Sequence, residues 1–229
     1  MILAFPSVGL VGAFAVAYIV KQLKMEYVGD LEFSEISPSY VVQNGEVHSP
    51  TQIYKKDNVY AILVGLPLNS KSAYEFIKKA IEFAKNNDVK KMIIPRGMEV
   101  IGGEETKPVS YGLAINSNSK SLLEEYNLPS IPRATIFGTD AGVISALKDL
   151  EIPSLILYTI CRMMLPDADA IVKAIETMAK ILHVQVNTEK FEENLEKLSK
   201  DNQRLIEETR KSFEKNIEKP AAMPSAGIG

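Results

Sequence analysis

The sequence predicts an α/β protein: a three-layer αβα sandwich around a mainly parallel sheet, with a C-terminal helical extension. Three observations predict it. Short apolar runs such as Val59 to Leu66 are nearly continuous, as strands covered on both faces are. Between them lie stripes at helical spacing, of which Ala73, Phe76, Ile77, Ala80, Ile81 and Ala84 form the clearest. From Glu189 the composition turns to charged helix formers. Buried strands alternating with amphipathic helices are the pattern of an α/β sheet.

The opening twenty residues need separate treatment, because Met1 to Val20 carries no charge. Such a run is long enough to span a membrane. However, Pro6, Ser7, Gly9 and Gly12 interrupt it, and no Lys or Arg precedes it as in a secretory signal. We read it as a strand at Ile2 to Phe5, a glycine-bearing turn, and a helix from Leu10 to Leu23 buried on most sides. Met25 to Phe33 alternates and reads as a strand. Asn44-Gly45 between Tyr40–Gln43 and Glu46–His48 predicts a two-residue hairpin, since both turn positions need positive φ. Val59 to Leu66 is a central strand, Ala73 to Ala84 a helix, and Val89 to Ile94 a strand.

Arg96 to Lys107 reads as a polar loop and Val109 to Ile115 as a strand. Ser119 to Tyr126 is a short helix, with Asn116 to Asn118 supplying caps. Ala134 to Phe137 is a strand entering Gly138 to Gly142, then a helix to Leu150 and a strand from Pro153 to Thr159. Asp167 caps a helix carrying Ile171, Val172, Ile175, Met178, Ala179 and Leu182. In the last segment Phe191, Leu195, Leu198, Asn202 and Leu205 recur at spacings of four and three, a heptad seam. A lone helix of this kind buries too little to stand by itself, so the seam packs between subunits or back on the core. The expected divisions are a core at 1–187, a helix at 188–219 and a flexible tail at 220–229.

The totals restrict the function classes. The chain has 229 residues, a formal charge of −3 and 46% hydrophobic residues. A core of this size needs no disulfide or metal staple. Its single cysteine, Cys161, fits a reducing cytoplasm. With two histidines, metal clusters have almost no ligands, and near-balanced charge gives no footprint for nucleic acid. No second run is long enough for a membrane.

The candidate chemistry is sparse. Ser7-Val8-Gly9-Leu10-Val11-Gly12 follows a strand and opens a helix, as a dinucleotide fingerprint does, with Asp30 further on. Ser7 replaces the first glycine, and the alternation carries the expected strand past Asp30 through Leu31 and Phe33, so the glycines read as packing glycines. Arg96 stands at a strand end, where open α/β sheets bind ligands, with Glu99 close by in sequence. Thr139 and Asp140, after Gly138, read as helix caps or as pocket residues. No triad, paired carboxylates or activated cysteine emerges. The residues predict no cofactor and no catalytic constellation. A small-molecule reading would use Ser7, Gly9, Arg96, Glu99, Thr139 and Asp140, as a nucleoside- or nucleotide-binding protein or a phosphorylase-like enzyme.

Phe5-Pro6-Ser7-Val8-Gly9-Leu10-Val11-Gly12 resembles the opening signature of the proteasome assembly chaperone family, in its archaeal branch of homologues of the second assembly chaperone subunit. Met25 to Gly29, His48 to Tyr54, Gly138 to Ser145 and Pro166-Asp167 resemble further family segments, so the likeness covers about residues 1 to 185. Ala4, Ser7 and Ala168 depart from the pattern. The resemblance implies a nucleoside-phosphorylase-like fold without enzyme activity. It also implies homo-oligomers and ATP-independent binding of proteasome core-particle subunits in the cytoplasm. Contacts to partners or other copies would then fall on Phe191, Leu195, Leu198 and Leu205. Several relatives end in hydrophobic–Tyr–any, which docks between α subunits. This chain ends Gly227-Ile228-Gly229, so tail insertion is not expected of it.

Overall fold

The computed structural model describes residues 1–34, 39–43, 45–99, 107–162, 166–201, 203, 206–208 and 210–211. The strands are β1 (Ile2–Ala4), β2 (Glu26–Asp30), β3 (Val41–Gln43), β4 (Glu46–His48), β5 (Thr51–Lys56), β6 (Val59–Val64), β7 (Met92–Glu99), β8 (Ser110–Ala114) and β9 (Ser154–Cys161). The helices are α1 (Val11–Gln22), α2 (Ser70–Asn86), α3 (Lys120–Glu125), α4 (Thr139–Leu147), α5 (Ala168–Leu182) and α6 (Phe191–Asp201).

Seven strands form one sheet in the order β2-β5-β6-β1-β7-β9-β8. Its centre, β6-β1-β7-β9, is parallel, with Ile2 beside both Ala61 and Ile93 and Arg96 beside Tyr158. The β2–β5, β5–β6 and β8–β9 pairs are antiparallel. Strands β3 and β4 form a separate two-stranded sheet. On one face of the main sheet α1 and α5 close a core of Val11, Ile19, Leu155, Leu157, Ile171, Ile175 and Met178. On the other, α2 and α4 close a core of Phe5, Ile62, Phe76, Ile77, Ile94, Val143 and Ile156. These are the three expected layers, and helix and sheet have each buried their apolar face.

Local chemistry sets the main helix starts. The Asn69 side chain accepts from the Ser72 N–H and the Ser72 hydroxyl accepts from the Asn69 N–H, both at 2.9 Å, a reciprocal cap on α2. Asp167 accepts from the Ala170 N–H at 3.3 Å and caps α5, as the sequence indicates. α1 is buried over most of its circumference, which accounts for the uncharged opening run. It lies so close to the sheet that a Cβ on Gly12 would come 2.1 Å from the Pro95 carbonyl oxygen. No helix among the described residues is long and apolar enough to cross a membrane.

Four local expectations are corrected. β7 continues through Glu99, so Arg96 lies within a strand and not in a loop, because β9 pairs with it residue for residue up to Cys161. Residues 134–137 form no strand. The preceding segment joins the sheet by a single bridge, Ser130 to Gly112, and residues 134–137 run on without a ladder partner. β2 ends at Asp30 after a register shift near Gly29, whose φ is 144°, and Leu31 adds only one bond to the Thr51 carbonyl. Thr51–Lys56, which the residues alone do not mark, is a full strand between β2 and β6. Asn44 lies outside the described residues, while Gly45 has the positive φ, 83°, that the hairpin requires.

Candidate functional site

The carboxyl ends of β1, β7 and β9 carry two groups of side chains, one on each face of the sheet. Strand alternation decides the division: Arg96 and Met98 face α2 and α4, while Gly97 and Glu99 face α1 and α5. Arg96 and Glu99, neighbours in sequence, are therefore not brought together, and Glu99 is exposed.

On the α2–α4 side, Arg96 is only 6% exposed. Its Nη2 lies 2.7 Å from Asp140 Oδ1, in the first turn of α4. Nη1 donates to the Phe5 carbonyl at 3.3 Å, and the guanidinium carbon sits 4.1 Å from the Phe5 ring centroid. Tyr158, beside Arg96 on β9, donates its hydroxyl to Asp140 Oδ2 at 2.7 Å. Burial, followed by the Asp140 charge and that hydrogen bond, pushes the Tyr158 phenol far above its ordinary range, so it stays protonated. Thr139 donates to the Leu68 carbonyl at 3.0 Å. Neither Thr139 nor Asp140 caps α4: its N-cap is Gly138, at φ 67° and ψ −140°, without a side-chain cap bond. The expected capping role is corrected, because both side chains are turned to the sheet and to the chain before α2.

On the α1–α5 side, the Ser7 hydroxyl accepts from the Gly97 N–H at 3.2 Å. A Cβ on Gly97 would lie 2.0 Å from the Val8 carbonyl oxygen, and one on Gly9 would lie 3.0 Å from Cys161 Sγ. The Gly9 carbonyl accepts from the Asp167 N–H at 3.1 Å. The turn thus lies against its own sheet, and its glycines permit that close approach. Cys161 is buried; desolvation, followed by the nearby Asp167 and Glu99 charges, pushes its thiol up to about 12. Arg162, the next residue, pairs with Asp167 and Asp169 at 3.2 and 3.0 Å.

Of the sequence candidates, Arg96, Asp140 and Thr139 converge on one face, and Ser7 and Gly9 on the other. Phe5, Tyr158 and Leu68 complete the first group; the strand register sets Tyr158 beside Arg96, and no sequence signal marks Phe5 or Leu68. Arg96 is already neutralised by Asp140 and roofed by Phe5, so an incoming anion would have to displace a carboxylate. Among the described residues no group of His, Cys, Asp and Glu could hold a metal ion. Phe191 is 1% exposed and meets Tyr18 edge to face, with ring centroids 4.9 Å apart. Leu195 is half-buried against the α1–α5 core. The Leu198 side chain and Leu205 lie outside the described residues.

The family model described as PAC2 family matches residues 1–206. The chain belongs to the PAC2 family. A relative in Methanocaldococcus jannaschii, an uncharacterised protein, is 23% identical, the match covering 92% of this chain and 89% of that one. Pyrococcus furiosus PbaA, described as an archaeal homolog of proteasome-assembly chaperone, matches with a TM-score of 0.80 at 22% identity over 93% of each chain. Pyrococcus furiosus PbaB, described as an archaeal proteasome activator, matches with a TM-score of 0.67 at 17% identity, covering 95% of this chain and 92% of that one. The likeness to both extends over more than nine-tenths of this chain.

Proposed function

We propose that this PAC2 protein is a non-enzymatic, ATP-independent chaperone of the cytoplasm. It acts as a homo-oligomer on proteasome core-particle subunits. The observation that carries the reading is family membership together with whole-chain likeness to PbaA and PbaB. The geometry agrees with it. At the strand ends where an α/β enzyme places its reacting groups, Arg96, Asp140 and Tyr158 bond to one another, and Cys161 is held as a thiol. These groups fasten the protein to itself and leave binding to its outer surfaces.

The test is co-purification of the full chain with proteasome α and β subunits of the same organism, each supplied singly and together, without nucleotide. Stoichiometric capture of α subunits, unchanged when ATP is added, is expected. Recovery of neither subunit would remove the proposed client.

A further inference from the structure

The carboxyl edge of the sheet is closed on itself, and the opposite edge gathers charge of one sign. Strands β6, β1 and β7 are parallel and begin there, at Val59, Ile2 and Met92, while β5 ends there with Lys56 opposite Val59. Both flanking helices also end there. The Lys56 ammonium donates to the Leu23 carbonyl, at the end of α1, at 2.6 Å. The Tyr60 hydroxyl donates to the Asn87 side chain, at the end of α2, at 3.2 Å. These contacts join residues 21–26, 55–58 and 85–91 into one surface.

The three stretches hold seven lysines against three carboxylates, Glu26, Asp57 and Asp88, in a chain whose formal charge is −3. The rest of the molecule is therefore net acidic. Lys21, Lys24, Lys55, Lys56, Lys85 and Lys90 are exposed. Lys90 lies 4.0 Å from Asp88, and Lys91 lies 4.0 Å from Glu125 on α3. Pairs at that distance in water neutralise little. Among the described residues Lys21, Lys24, Lys55 and Lys85 have no ion pair. Two of the ammonium groups are propped on rings, Lys55 5.1 Å from the Tyr60 centroid and Lys91 4.8 Å from the Tyr126 centroid.

Helix ends account for part of this charge. A helix C-terminus presents about half a negative charge and favours cations. That explains Lys21, Lys24 and Lys85, and the two helix ends offset about one of the four charges in excess. Lys55, Lys56, Lys90 and Lys91 stand on β5 or just ahead of β7, and a sheet has only a small dipole to complement.

We infer that this amino edge of the sheet is a docking surface for an acidic face of a partner protein. Complementary charge of this kind steers and orients an approaching partner. The size of the patch selects the partner. From β5 to β7 it spans three strand spacings of about 4.8 Å each. Duplex nucleic acid carries a charge every ~1.7 Å of its axis and would run off the patch onto acidic surface. Single strands are held by stacking bases on open rings, and the Tyr60 and Tyr126 rings here lie under lysines. An acidic helix or loop fits within the patch. The inference adds a binding surface to the chaperone reading without resting on it, because its test uses no proteasome subunit.

Fluorescence anisotropy of the full chain with a fluorescein-labelled decaglutamate peptide tests it, beside a single-stranded DNA of ten nucleotides as the other polyanion. The peptide is expected to bind with a dissociation constant below about 100 μM in 20 mM salt. In 300 mM salt, where the screening length falls below about 8 Å, it is expected to bind at least tenfold more weakly. The Lys21→Gln/Lys55→Gln/Lys90→Gln variant is expected to bind at least tenfold more weakly than the wild type in 20 mM salt, with an unchanged circular-dichroism spectrum. The Lys173→Gln/Lys190→Gln/Lys197→Gln variant removes the same charge from α5, α6 and the residue before α6, and is expected to bind as the wild type does. Absence of wild-type binding in 20 mM salt overturns the inference. Equal binding by the two variants also overturns it, since only net charge would then matter. DNA bound at least tenfold more tightly than the peptide overturns it in favour of a nucleic acid. The comparison of the two probes uses the wild type alone, so the inference can fail however the variants fold.

Discussion

Arg96 and Asp167 do comparable work on opposite faces of the sheet, and they were unequally legible. Arg96 ends an apolar run, and its position alone pointed to the strand ends. Nothing adjacent in sequence indicated that Asp140, forty-four positions on, would neutralise it, because that pairing depends on where α4 packs against the sheet. Asp167 was legible as a helix cap, but its second role was not. Its carboxylate also accepts from the Arg162 backbone N–H at 2.6 Å and pairs with the Arg162 guanidinium. Burial by itself would raise the Asp167 pKa; the hydrogen bonds from Arg162 and Ala170 outweigh it and hold the carboxyl below its ordinary value. A depressed carboxyl contributes stability that is present above about pH 4 and is lost as pH falls through the folded-state value. Asp167→Asn is therefore expected to cost about 1–2 kcal/mol at pH 7 and progressively less below pH 4. Urea unfolding at a series of pH values checks this. A gap of the same size at pH 7 and pH 3 would show that the charge contributes nothing.

Among the elements, the long helices and the hairpin were the most legible, because each announces itself within its own residues. The stripe of α2, the Asp167 cap and the Asn44-Gly45 dipeptide are local signals that the core merely accommodates. β5 was not legible in the same way. Only Thr51 and Ile53 of its six residues are buried, and it ends in two lysines, so its strand character comes from the neighbours on both sides. Residues 134–137 erred in the opposite direction: Ala134 to Phe137 looks like a strand but finds no edge to join. The α6 seam was legible as a seam, and its neighbour was left open between core and partner. At its first position the structure places the ring on the core. Phe191 packs on Tyr18, whose hydroxyl donates to the Asn187 carbonyl at 2.8 Å. Phe191→Ala is expected to cost about 3–5 kcal/mol of folding stability, as loss of a buried aromatic does, while leaving the native mass unchanged. Denaturant unfolding and light scattering on the same sample check both halves. A stable variant of altered mass would reassign the ring to a subunit contact.

For the whole molecule, the layers follow from alternation along the chain, but the strand order does not, because β1 joins the sheet between β6 and β7, far from its neighbours in sequence. That order places Phe5, Arg96 and Tyr158 side by side at the carboxyl edge, where an α/β fold would otherwise hold a ligand. Here the edge is closed by Arg96, Asp140 and the Phe5 ring, which makes the group a fastening between α4 and the sheet. A ligand that bound the native state at one hundred times its dissociation constant would add about 2.7 kcal/mol. For a chain of this length that is roughly 5–10 °C in Tm. Phosphate, nucleosides and dinucleotides at millimolar concentration are instead expected to shift Tm by less than about 1 °C, within the scatter of such scans for a chain of this size. Arg96→Ala is expected to lower Tm because it leaves the Asp140 carboxylate without its counter-charge, a cost of about 3–5 kcal/mol for a buried pair. The loss should be the same with and without each compound. A single compound that raises the wild-type Tm by several degrees and fails on Arg96→Ala would show that the carboxylate yields to a ligand, and that this edge of the sheet is a binding site after all.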